Sequence, residues 1–169
     1  MKRLGLVVVG FLLAGAGAGA LWERLWEPPT GVAYQDQWFL EPAGPDLSFQ
    51  GIALFVLIAF PLGLVLSVLA GLWREDEMTT VVTVLVAATA AGVVMYAVGT
   101  SLDPTDPHVL AAGSPDFTKL PGDLGLTAPD RGRTPWHSTA FVAFPAGAMT
   151  GLVGMFLFGS QGLARRSRG

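Results

Sequence analysis

The chain reads as an all-α membrane protein, a four-transmembrane-helix bundle with two proline-rich extracytoplasmic loops. Three observations predict this. Of its 169 residues 51% are hydrophobic and only 14% charged, with mean hydropathy +0.53, whereas a soluble domain carries about 25% charged residues. Four apolar stretches each reach the roughly 20 residues that a spanning helix needs. Nearly every charge lies between or beyond those stretches. Residues 1–169 are therefore read as a single membrane domain.

The first stretch, Leu4–Trp26, follows Lys2-Arg3 and contains the run AGAGAGA from Ala14 to Ala20. A basic start, an apolar core and A-x-A triplets imitate a signal peptide. The apolar run, however, exceeds the 7–15 residues typical of such a core (about that range), and helix-compatible residues continue to Trp26 before Pro28-Pro29 stop the helix. Gly15 and Gly19 form a small-xxx-small pair suited to a close helix neighbour. A retained helix is expected. Glu23 and Arg24 are the only charges within the four stretches, and they fall in the last turn of this one.

The second stretch, Gly51–Trp73, carries Ala59, Gly63, Ser67 and Gly71 at four-residue intervals, and the third, Thr79–Thr100, carries Ala88 and Gly92. The third is rich in threonine, including Thr89, which can bond its own helix backbone in lipid. The fourth, His137–Phe158, carries Ala143, Gly147 and Gly151. Small residues on all four helices predict a compact bundle, and Gly15, Gly19, Gly63, Ser67, Gly147 and Gly151 are also candidates for contact with a protein partner or another copy.

Orientation follows from Lys and Arg placement. Lys2 and Arg3 precede the first span, Arg165, Arg166 and Arg168 follow the last, and Arg74 lies in the short second linker. Both termini are expected in the cytoplasm. The longer connections, 27–48 and 101–136, face outward, although Arg131 and Arg133 on that side run against the rule. Trp22, Trp26, Trp73 and Trp136 stand at span edges, where such rings favour the headgroup layer. Ten of the twelve prolines lie in the two outer loops, which predicts turns and extended chain there rather than regular elements.

An internal echo adds a second level of order. Ala59-Phe60-Pro61-Leu62-Gly63 returns as Ala143-Phe144-Pro145-Ala146-Gly147, in helices of like direction. This predicts a duplicated helix–loop–helix unit related by an axis along the membrane normal. Each proline removes a backbone bond and opposes the carbonyl four residues earlier, so both helices should kink. A gap between the kinks, lined by Phe60, Pro61, Phe144 and Pro145, is the candidate apolar site. A bend that only shapes the bundle is the commoner outcome, because membrane helices tolerate proline.

The chemistry on offer is sparse. There is no cysteine, hence no thiolate ligand, disulfide or Cys nucleophile. No basic run suits a nucleic acid. Asp103, Asp106 and His108 form the one local cluster of metal-ligand types, yet Asp-Pro is ordinary turn chemistry and no spacing here is diagnostic. His137 beside Ser138 suits a helix cap more than acid–base work. No metal, cofactor or catalytic residue is expected, and no span carries a charge in its middle, as proton relays and ion pathways usually require.

The stretch Leu25-Trp26-Glu27-Pro28-Pro29-Thr30-Gly31-Val32 resembles a segment that follows the first helix in a set of small actinobacterial membrane proteins of uncharacterised function. The likeness covers about Leu4–Trp73 and continues beyond only as hydropathy. Glu27 and the long second outer loop depart from that pattern. The resemblance implies four helices and a bacterial plasma-membrane address, and assigns no catalytic residue. The reading that fits best is a non-catalytic accessory or assembly subunit of a larger envelope complex. The alternative is a small transporter or carrier of an apolar molecule, a lipid or quinone, using the Pro61/Pro145 region.

Overall fold

The computed structural model describes residues 2–41, 45–72, 77–103, 106–126 and 138–158. Four helices among them are long and apolar enough to cross a membrane. In chain order the elements are α1 (Lys2–Leu25), β1 (Thr30–Tyr34), β2 (Gln37–Leu40), α2 (Pro45–Gly71), α3 (Glu77–Leu102), the short α4 (Pro107–Ala111) and β3 (Lys119–Pro121). A 3₁₀ turn, Thr139–Val142, then leads into α5 (Ala143–Phe158).

The bundle is built from two parallel seams, α1 against α3 and α2 against α5. Small residues cause this pairing. A methyl group added at Gly15 would strike the backbone of Ala91, and one at Gly19 would overlap the Met95 carbonyl oxygen. Only glycine lets the backbones come so close, as in other small-xxx-small crossings. Residues 87, 88, 91 and 95 of α3 supply the facing surface, all fully buried. Outward-pointing side chains are apolar: Leu13, Leu57, Val86 and Leu157 are each more than half exposed. In water such an exterior would be a large apolar patch; against lipid it is matched to its solvent. Thr89 and Thr150 donate to the carbonyls of Leu85 and Ala146, each at 2.8 Å, so their hydroxyls are satisfied within their own helices.

The outer loops depart from the all-α expectation. They form a three-stranded antiparallel sheet in the order β2-β1-β3, with Val32 opposite both Phe39 and Lys119. Gln35 and Asp36 make the hairpin turn with φ of 51° and 60°, the two left-handed positions that a type I′ turn requires. Proline is tolerated because Pro121 closes an edge strand, where a missing donor costs little. One face of the sheet carries Ala33 and Trp38, which pack with Leu120 and with Ala111 of α4 in a small core of their own.

Two span boundaries also shift. The second apolar helix starts at Pro45, earlier than its apolar run, and the fourth begins as the 3₁₀ turn. Trp22, expected in the headgroup layer, is fully buried. Trp73, Trp136, His137, Arg74, Arg131, Arg133, Arg165, Arg166 and Arg168 lie outside the described residues.

Candidate functional site

The repeated Ala-Phe-Pro-x-Gly segments meet at the centre of the α2–α5 seam. A methyl group at Gly63 would overlap the Phe144 carbonyl oxygen, and one at Gly147 would overlap that of Phe60. Each glycine thus seats the other segment's phenylalanine carbonyl. Below this level Gly151 lies on Leu64 and on the hydroxyl of Ser67, and that buried hydroxyl donates to the Leu64 carbonyl at 2.9 Å. Backbone meets backbone here.

The two phenylalanines end in different surroundings. Phe144 is fully buried with its ring 6.2 Å from that of Phe11, whereas Phe60 remains 36% exposed. They do not share one lining. The prolines differ as well. Pro61 lies inside the continuous α2, while Pro145 is the third residue of α5, just after the 3₁₀ turn. The 3₁₀ turn supplies carbonyls ahead of Pro145, so this proline too lacks a helix bond, but at a 3₁₀–α junction rather than in mid-helix. The expected equivalence therefore holds for the contact surface and fails for the local helix geometry.

An aromatic cluster that sequence reasoning missed caps this seam on the sheet side. Trp22 stacks edge-on against Phe55 at 5.1 Å, and Phe55 and Tyr96 each meet Phe141, at 6.0 and 5.4 Å. Such edge contacts between rings add about 0.5–1.5 kcal/mol per pair beyond burial. The Trp22 indole donates to the Gly51 carbonyl at 2.8 Å, which ties the end of α1 to the start of the apolar run of α2. The only available signal was the four-residue step from Ala18 to Trp22, which continues the buried face of α1.

The metal-type residues separate into structural tasks. Asp103 accepts from the Leu124 backbone N–H, which holds the chain beside the buried Leu124 and Leu126 on top of the bundle core. Asp106 caps α4, accepting from the His108 backbone N–H at 2.9 Å. The His108 ring lies edge-on to Trp38 at 6.0 Å. Among the described residues no three metal-ligand side chains converge. Burial pushes the Asp103 carboxyl above its ordinary range, the Leu124 N–H opposes that, and Asp123 and Glu23 add to the rise.

All six small residues singled out above are engaged inside the chain: Gly15 and Gly19 on α3, Gly63, Ser67, Gly147 and Gly151 in the α2–α5 seam. Comparison of the chain with protein-family models, with curated proteins and with solved structures finds no match, so the functional reading rests on this geometry.

Proposed function

We propose that this protein is a non-catalytic accessory or assembly subunit of a larger membrane complex in the bacterial plasma membrane. In this reading both termini are cytoplasmic and the three-stranded sheet stands outside. The observation that carries it is how the spans use their residues. Small residues and aromatics are spent on closing the bundle on itself, while the described charges stay at helix ends and in the loops. A pump or channel would place an ionisable group at mid-span. A carrier of apolar cargo would need α2 and α5 to part where Gly63 and Gly147 now hold backbone on backbone.

Purification from gently solubilised membranes tests the reading. A stoichiometric protein partner supports it. A bound lipid or quinone with no protein partner replaces it with the carrier. Orientation is tested separately with single cysteines at Ser114 and Ser167: an impermeant thiol reagent should label the first from outside and leave the second untouched.

A further inference from the structure

The sheet has a second face that the small core does not use. Side chains alternate along a strand, and residues directly opposite one another share a face. Ala33 and Trp38 face inward, so Val32, Tyr34, Gln37 and Phe39 face the other way. There Tyr34 is 41% exposed and Phe39 48% exposed. Beside Tyr34, with ring centroids 5.5 Å apart, stands Phe117, 74% exposed.

Phe117 is held in an unfavourable backbone conformation. Its φ is 67°, a left-handed value that costs a bulky residue on the order of 1–3 kcal/mol. The surrounding bonds hold it there. The Phe117 N–H donates to the Ala33 carbonyl at 2.7 Å, and the Ala33 N–H donates to the Thr118 carbonyl at 2.9 Å. Asp116 accepts from the Gln35 backbone N–H at 2.9 Å, which locks the 116–117 corner to the hairpin turn. The result is an aromatic pair turned to solvent, with the carboxylates of Asp36 and Asp116 on the residues beside it.

Charge decides between occupants. The two outer loops, 27–48 and 101–136, carry nine acidic residues and three basic ones. A second copy would bring the same excess of carboxylates, and an anionic bilayer surface would be repelled in the same way. A basic chain has both attractions: its ammonium or guanidinium groups meet the carboxylates, and their stems and charges lie well on the faces of Tyr34 and Phe117. The Lys119 cation on β3 shares this face but lies in the Val32 row, one row away from the Tyr34–Gln37 end.

We propose that the hairpin tip formed by Tyr34, Asp36, Asp116 and Phe117 is a docking surface for a Lys- or Arg-bearing extracytoplasmic segment of a partner protein. This rests on the accessory-subunit reading and adds the place and chemistry of one contact. The exposed Gln37, opposite Tyr34, is the position from which to test it.

The experiment places the photo-crosslinking residue p-benzoylphenylalanine at Gln37 of the full chain, in membranes of cells that make it. The expected result is a protein adduct whose cross-linked peptide contains Lys or Arg. Asp36→Asn with Asp116→Asn keeps the hydrogen-bond acceptor and the tolerance for positive φ while removing both charges. That pair, and Phe117→Asn, should each lower the adduct yield roughly fivefold or more, with Glu41→Gln leaving it unchanged. An adduct with lipid or with a second copy, a cross-linked peptide without basic residues, or a yield indifferent to these variants overturns the proposal. The same probe at the outward-facing Leu57 and Val86 separates the two levels. Adducts there with none at Gln37 leave the accessory-subunit reading intact and sink the docking surface, and no adduct at any position sinks both.

Discussion

In the seam between α2 and α5 the glycines are reciprocal: Gly63 seats the carbonyl of Phe144, and Gly147 seats that of Phe60. In the seam between α1 and α3 only the Gly19–Gly99 contact is mutual, and for neither glycine is it the nearest one. Gly15 and Gly19, both on α1, rest on the carbonyls of Ala91 and Met95, while Gly99 on α3 meets first the ring of Trp22 and then the Gly19 carbonyl. The first arrangement is that of a two-fold interface, in which the same surface patch faces itself. The second is an ordinary contact between unlike surfaces. The shared Ala-Phe-Pro-x-Gly is its own partner in the first seam, and the second seam has no such matched segment.

Large substitutions break the comparison most directly. Gly63→Leu and Gly147→Leu should each destabilise the bundle by about 3 kcal/mol, because the new side chain meets backbone that cannot move aside. Reciprocity requires the two losses to be nearly equal. Thermal unfolding in detergent measures them, with Gly10→Leu, which has open space around it, as the unaffected control. Losses that differ by more than about 1 kcal/mol would count against a two-fold seam.

The other seam is probed by coupling. Gly99→Ala pushes a methyl group into the Trp22 ring, and that ring is fixed by its bond to Gly51. Trp22→Phe should cost about 1–2 kcal/mol, from the loss of the indole's bond to the Gly51 carbonyl and the smaller ring left in the core. In that background Gly99→Ala should cost less than it does alone, since a smaller, unanchored ring can yield. Additive losses would show that Gly99 meets something more rigid than the ring.

The smallest effect concerns how the loop between α3 and α5 sits on the bundle. Asp103 has its carboxyl raised chiefly by burial. A group whose pKa rises on folding adds stability below its unfolded pKa and loses it as pH climbs through the folded value. Asp103→Asn should therefore raise the melting temperature slightly at neutral pH and leave it unchanged near pH 3 (about that value). It retains an acceptor for the Leu124 N–H. A lowered melting temperature at neutral pH would mean that the ionised form is what holds the loop.

The four spans were legible because lipid imposes one rule, a long apolar helix, that composition alone records. The Ala-Phe-Pro-x-Gly echo was legible as a repeated string, and its glycines and carbonyls face each other in the fold. The sheet was not legible. Gln35-Asp36 lacks the Asn-Gly or Asp-Gly signature of a two-residue turn, and β3 is three residues long, ends in Pro121 and pairs with β1 from the other loop. Nothing local marks such a strand. Proline predicts a missing bond without saying what fills the space, and here two glycines draw the helices together. Trp22 misled for a related reason. Its place near a span edge suits a headgroup ring, and its burial comes from other helices, which supply Phe55, Gly99 and the Gly51 carbonyl.

The pairing of the seams has a consequence for biosynthesis. Gly15 waits for Ala91, and Gly63 waits for Phe144, so neither tight seam lies within the first half of the chain. When α2 has left the ribosome, α1 and α2 are joined chiefly around Trp22, through its contacts with Gly51 and Phe55, and their glycine faces have no helix against them. The α1–α3 seam can close once α3 has been made and the α2–α5 seam only after the last helix, because contacts between distant segments cannot form before both exist. A nascent chain halted in the linker between α2 and α3 should thus be a good substrate for membrane proteases, whereas the finished chain resists them.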